Sequence, residues 1–255
     1  MRPEIAKSWL RSRLSGVPLD QDLQEAHVPE FDPEGRLLRA AKPVLDRLAV
    51  AVAGTCTSVV LADSQARILQ RHAGERSLNA HLDGVGLAPG FSYAEELVGT
   101  NGIGTAVVER RPVQVVGKEH FLPSLRSITC VGVPIHHPIT GRLEGVLDIT
   151  CRYGDTNDRT LPLVLGAVRE IEERLYEDAS VSERALLENF LIMTRHSKRP
   201  VVSMNEEFAI SNVAASRLLE PADHALLWER ATEALARHEV VGQVRLAGGL
   251  SVLVR

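Results

Sequence analysis

The run Gly99-Thr-Asn-Gly-Ile-Gly-Thr-Ala106 places three glycines within six residues. That composition suits a backbone that turns tightly and approaches its neighbours closely. Thr100 or Asn101 can cap a helix running to about Glu109, with Arg110 and Arg111 at its negative end. Amides at such a helix start can hold an anion, although the same string also reads as a purely structural loop. No Lys-Ser/Thr follows, so it is not a Walker loop, and Glu95-Glu-Leu-Val before it excludes a Rossmann fingerprint. Nine histidines raise the question of a metal, but His136-His137 and His120 lack i, i+4 partners with a third ligand or a nearby cysteine pair. There is no Gly-x-Ser-x-Gly elbow. Cys130 and Cys151 fall in apolar runs that read as strands, where a thiol behaves as a small hydrophobe. Asp148, inside Gly-Val-Leu-Asp-Ile-Thr150, needs hydrogen-bond partners if it is buried. The residues point to binding or structure and away from catalysis.

Composition supports that direction. The 255 residues are 44% hydrophobic and 24% charged, enough for one large or two small domains. A net charge of −4 argues against a surface devoted to nucleic acid. By itself the chain is expected neither to bind DNA nor to hydrolyse ATP. No stretch is apolar long enough to span a bilayer, and the opening MRPEIAKSWLRS has no apolar core of a secretory signal. Three scattered cysteines suggest reduced thiols and a cytoplasmic location.

The elements that would position these residues can be read in order. Glu4 to Arg13 is helical, with Ile5, Trp9 and Leu10 on one face, and 18–33 reads as loop. Gly35 to Val52 carries an apolar helical stripe in which Pro43 marks a start or a kink. Thr57–Ala62 and Ala66–Gln70 form a hairpin across Asp63-Ser64, and a short helix spans Arg76–Leu82. Further strands are expected over Pro112–Val116, Ile128–Ile135 and Gly145–Cys151, the last two joined by His137–Gly141. Strands adjacent in sequence imply an antiparallel sheet with helices packed on it. From Asp158 to about His196 the pattern is helical, and at 1.5 Å per residue it would be roughly 60 Å long. Leu161, Val164, Val168, Ile171 and Leu175 are spaced 3, 4, 3, 4, as in a coiled-coil seam, which lapses at Asp178 and Ser182. The seam predicts a homodimer; the alternative is a helix packed on its own domain. Beyond Lys198-Arg199-Pro200, strands over Val201–Met204 and Phe208–Ser211, an Asn212-capped helix to Leu219, a helix from Ala222 to His238 and a hairpin of Val244–Leu246 with Leu250–Val254 complete the chain.

Several strings occur together in one order: Ile5…Ser8-Trp9…Arg11-Ser12…Gly16-Val17, Glu95…Gly99-Thr-Asn-Gly-Ile-Gly-Thr-Ala106, Glu119-His-Phe121, Cys130…Pro134-Ile135 and Gly145-Val-Leu-Asp-Ile-Thr150. As a set they resemble the N-terminal sensory half of acetoin-catabolism-regulator-like sigma-54 enhancer-binding (NtrC/Fis-type) transcription activators, over about residues 2–175. Residues 199–255 resemble the start of a PAS-like domain, with Asn205 in the turn. The resemblance implies an α+β fold: a GAF-like antiparallel sheet flanked by helices, with a ligand pocket between the sheet and its covering loops. The expected organisation is an N-terminal helical region (1–53), a GAF-like domain (54–157), a long connecting and dimerisation helix (158–198) and a partial PAS-like unit (199–255). A small effector would control an ATPase and a helix-turn-helix; no motif for either output occurs here, so sigma-54 polymerase and DNA would be reached only through parts beyond these residues. Tyr93-Ala94 stands where the family has Trp-Ser, and Val131-Gly132 and Cys151 also differ, so the acetoin effector does not carry over.

Within that frame, Val59 and Leu61, Val113 and Val115, Val131 and Val133, and Leu147 and Ile149 alternate as an apolar floor. A register slip of one residue would turn Cys130 and Asp148 inward instead. Phe91–Thr105 is the expected cover, with Phe91, Tyr93, Asn101, Ile103 and Thr105 near the effector and His120 and Phe121 closing the other side. The candidate site is completed by Cys130, Val133 and Asp148. No cofactor, metal, membrane or catalytic role is expected. The alternatives are a GAF sensor of haem or a nucleotide, with His120 as a possible axial ligand, and a thiol-dependent GAF enzyme.

Overall fold

Strand-forming runs rich in Val, Ile and Thr build a five-stranded antiparallel sheet in the computed structural model, which describes residues 2–20, 35–155, 159–179, 181–195, 198–205, 209–237 and 242–253. Its strands are β1 (Thr57–Asp63), β2 (Ile68–Ala73), β3 (Val113–Val116), β4 (Ile128–His136) and β5 (Leu143–Arg152), ordered β2-β1-β5-β4-β3. Helices α1 (Pro3–Leu14), α2 (Arg36–Val52), α3 (Arg76–Gly84), α4 (Glu95–Val98), α5 (Gly102–Glu109) and α6 (Thr160–Glu177) accompany it. Contacts divide the chain into two units, Met1–Asp178 and Ala179–Arg255. The first unit has a GAF-like arrangement, an antiparallel sheet flanked by helices. Asp158, His196, Phe208, His238 and Val254, named above as segment ends, lie outside the described residues, as do residues 21–34 of the first loop.

Strand register decides what each side chain meets. Val59 pairs with Ile149 and Leu61 with Leu147, and these pair onward with Val131 and Val133. This row faces α2 and α6, where Ala41, Val44, Leu45 and Leu48 meet Val164, Val168, Ile171 and Leu175. Burying each such side chain contributes roughly 1.5–3 kcal/mol. α2 runs straight through Pro43, which lies on its exposed side. The other face carries Val60, Asp148 and Gly132 in one cross-strand row and Ser58, Thr150 and Cys130 in the next, alongside Val113 and Val115. The single floor expected from alternation is therefore split. Val133 and its row belong to the helical layer, while Cys130 and Asp148 face the cover. Both faces of β4 and β5 are covered, so their apolar runs gave no preference between them.

The seam expected to dimerise is used within the first unit. Val164, Ile171 and Leu175 are fully buried against the sheet and α2, and only Leu161 remains exposed, at 40%. A 3-4 apolar spacing is satisfied equally by a sheet or by another helix, and here the chain's own sheet meets it. Nor is the connecting helix continuous: α6 ends at Glu177, and α7 (Val181–Thr194) starts in the second unit.

The second unit contains α7, α8 (Val213–Ser216), α9 (Pro221–Arg237) and two antiparallel ribbons, β6 (Val202–Met204) with β7 (Ala209–Ser211) and β8 (Gln243–Arg245) with β9 (Ser251–Leu253). Asn212 caps α8 as expected, its Oδ1 accepting from Ala215 N at 2.9 Å, but that helix ends at Ser216 instead of Leu219. Asp223 holds the amides of Glu220 and Ala247, and these bonds keep its carboxyl below the usual range.

Candidate functional site

The glycine-rich run forms the turn and first helical turn that press onto the sheet. Asn101 caps α5: its Oδ1 accepts from the amides of Ile103 (2.9 Å) and Gly104 (2.8 Å). Its Nδ2 donates to the carbonyls of Tyr93 (2.9 Å) and Gly99 (2.8 Å). The amides that might have held an anion are thus consumed by the cap, and the structural reading of this loop prevails. The glycines are needed for contact distance. A Cβ on Gly102 would sit 2.4 Å from Cys130 Cβ and 2.5 Å from Asp148 Oδ1, and one on Gly132 would sit 2.1 Å from the Gly102 carbonyl oxygen. Gly99 has φ +70°, and a side chain there would run into Phe121.

Beneath α5 lies a buried polar chain. The Gly102 amide hydrogen-bonds Cys130 Sγ, which lies 3.3 Å from Thr150 Oγ1. Thr150 donates to Asp148 Oδ2 at 2.6 Å. Asp148 is fully buried, and Oδ1 finds no partner among the described residues. Burial pushes its carboxyl up to about 7, against a smaller opposing effect of the Thr150 hydroxyl. Burial also holds the Tyr93 hydroxyl and the Cys130 thiol well above their usual ranges. His120 is fully buried and pushed down to about 4, again chiefly by burial; Nδ1 meets the Gly117 carbonyl at 3.0 Å and Nε2 is unpartnered.

Tyr93, Ile103, Phe121 and Cys130 share one apolar cluster on this side of the sheet, with Phe91 packed against it. Tyr93 donates its hydroxyl to the Val85 carbonyl at 2.7 Å. Thr105 does not join the site. Its hydroxyl faces α1, near Ser8 Oγ at 3.2 Å. Phe121 stacks edge-on with Trp9 of α1, ring centroids 5.1 Å apart. An open cleft beside α4 and α5 is lined by Ser64, Arg67, Glu96 and Val108 among others, but by none of Tyr93, His120, Cys130 or Asp148.

The sequence reading missed the other side of the cover. Glu95, only 3% exposed, is gripped by α1: Ser8 Oγ donates to its Oε1, and Arg11 Nε meets its Oε2 at 2.8 Å. Arg11 also reaches Glu109 at 2.9 Å, and Thr100 Oγ1 lies 2.7 Å from Ser8 Oγ. Arg2 binds the Glu119 carboxylate, and Trp9 Nε1 donates to the Glu119 carbonyl at 2.8 Å. The available signal was polar: Ser8, Arg11 and Ser12 follow Ile5 at i+3 and i+4 steps, a hydroxyl and charge stripe on a helix face that is buried.

No group of three or more metal-ligating side chains occurs among the described residues. Cys56 donates to Glu75 at 3.0 Å, and that bond raises its thiol. With Cys130 also raised, neither thiol has the thiolate character of a nucleophile.

The profile of the MimR N-terminal domain matches residues 2–173. The chain belongs to this family. Like other MimR N-terminal domains, it resembles parts of transcription activators. It is 36% identical over 229 residues to the propane 2-monooxygenase operon transcriptional activator MimR of Mycolicibacterium smegmatis, covering 90% of this chain and 39% of that protein. It is 29% identical to the acetoin dehydrogenase operon transcriptional activator AcoR of Bacillus subtilis, over 74% of this chain and 32% of that one. The chain thus spans about two fifths or less of these relatives' length. Among solved structures, the E. coli DhaR(N)–DhaL complex contains a chain that superposes with TM-score 0.65, at 20% identity, over 98% of this chain and 92% of that one. That likeness concerns the fold. Among the described residues no helix is long and apolar enough to cross a membrane.

Proposed function

We propose that this MimR N-terminal domain is the sensory part of a cytoplasmic, non-enzymatic transcription activator, and that it holds a small, mostly apolar effector between the sheet and the cover of residues 91–105. Occupancy would be passed to ATPase and DNA-binding parts outside these residues. The observation that carries this reading is the layer beneath α5. There an apolar cluster encloses a few fixed polar groups, and the segment above it is clamped to α1 through Glu95. Binding sites for small molecules have that composition. Most affinity would come from burial, so a ligand of few heavy atoms should bind at micromolar strength or weaker. The dimer expected from sequence, if formed by these helices, would use the exposed sides of α6 and α7, where Leu161, Leu165, Ile192 and Met193 lie.

Titrating the isotope-labelled chain with small alcohols, ketones and phenol while following backbone amides tests the reading. Saturable shifts confined to residues 91–105, 117–121, 130–132 and 148–150 are expected. Shifts only around Ser64, Arg67 and Glu96, or none at millimolar ligand, would overturn it.

A further inference from the structure

Hydrogen-bonding capacity on the cover side is almost entirely used. Asn101 makes all four of its side-chain bonds, and Tyr93 is bound to Val85. Thr105 is turned toward α1. Arg71, in the same cross-strand row as Asp148, gives its guanidinium to the Leu87 carbonyl, Asn79 and Asp83. Of the polar side chains singled out for the site, two keep an unpartnered buried atom among the described residues: Asp148 Oδ1 and His120 Nε2.

The bonds already made fix what these atoms offer. A carbonyl only accepts, so His120 Nδ1 carries the hydrogen shared with Gly117, and Nε2 presents a bare lone pair. In the chain from α5, Gly102 N–H points to Cys130. Thr150 spends its one hydrogen on Asp148, so the Cys130 thiol is the donor to Thr150. Every hydrogen runs toward Asp148, and Oδ1 is the open end. Ionised, it accepts; protonated, it donates. A hydroxyl is both donor and acceptor, so it pairs with either form of Asp148 and can donate to Nε2. A ketone pairs with one form of Asp148 and never with Nε2. An anion meets no uncommitted cation in this row.

We infer that the effector is a small neutral hydroxyl compound, an alcohol, diol or phenol, recognised through Asp148 Oδ1 and His120 Nε2. This rests on the reading of the layer beneath the cover as an effector site. The test uses matched probes on the full chain: 2-butanol against 2-butanone, cyclohexanol against cyclohexanone, and benzoate as the anion. Affinities come from amide shifts, and the variants Asp148→Ala and His120→Phe are checked for fold by circular dichroism. The alcohol of each pair should bind about tenfold or more tightly than its ketone, benzoate should not bind, and the preference should collapse in either folded variant. Equal affinity within pairs, or tighter binding of ketone or benzoate, would overturn the hydroxyl assignment while leaving the effector site standing. A wild-type preference that survives in both folded variants would overturn the roles of Asp148 and His120. If neither variant folds, the wild-type ratio decides. No shift of the cover by any probe would overturn the effector site and this inference with it.

Discussion

The layer between the sheet and α2 and α6 is filled chiefly by Val, Leu, Ile and Ala, whereas the layer between the same sheet and α5 buries Ser58, Cys130, Asp148 and Thr150 among its apolar side chains. The spacing differs as well. On the α2–α6 side, side chains interdigitate. On the α5 side, Gly102 and Gly132 bring backbone onto backbone, so the helix start is held at a fixed distance from the polar groups. One face of the sheet supplies stability through ordinary packing. The other gives up apolar contact to hold a few polar atoms in place, the arrangement expected where a protein reads a ligand.

The largest test of this contrast is Val168→Glu. The substitution puts an unpaired charge into the α2–α6 layer, so a loss of more than about 4 kcal/mol in urea unfolding is expected, with much of the chain unfolded. A folded, equally stable chain that merely changed from dimer to monomer would show that this face is an interface between chains, and the contrast would fail. By comparison, Leu161→Glu on the exposed side should leave stability nearly unchanged.

Gly132→Ala probes the close approach on the other face. A methyl there would overlap the Gly102 carbonyl, so a cost of about 1–3 kcal/mol is expected, together with amide shifts along α5. An unchanged melting curve would mean that α5 does not rest on β4 as described.

The smallest effect is the sharpest. Asp148 titrates higher in the fold than in the unfolded chain, so its contribution is present at low pH and lost as pH rises toward about 7. His120 titrates lower, so its contribution is present above its unfolded value near 6.5 and lost as pH falls toward about 4. Between about pH 4 and 7 the two slopes oppose each other. The stability difference between wild type and Asp148→Asn should therefore fall with rising pH, and that between wild type and His120→Gln should rise. Slopes of the same sign would show that one of these groups is not buried as described.

Much of this was legible along the chain. The hairpin at Asp63-Ser64, the loop at His137–Gly141, the cap at Asn101 and the strands around Cys130 and Asp148 lie where local turn chemistry and alternation put them. Asp148 and Cys130 were recognised as candidates on one of two registers. The α1 clamp was not recognised: Arg11 and Glu95 are 84 residues apart, and a charged residue on a helix says nothing about a distant carboxylate.

The amino-acid sequence by itself determined the elements and their boundaries to within a few residues, because caps, turns and apolar periods act over one or two turns of chain. It also determined that these elements make a sensory rather than a catalytic unit, because no nucleophile or metal spacing is present while the ordered strings of an activator's sensory half are. Only the tertiary structure decided which side of each strand meets the cover, because a run apolar on both faces fits either register. It alone decided that the 3-4 seam of α6 lies against its own sheet, because apolar spacing fixes a buried face but not the surface that buries it. And it alone left Asp148 and His120 with unpaired atoms, because a hydrogen bond is settled by geometry between segments far apart in the chain.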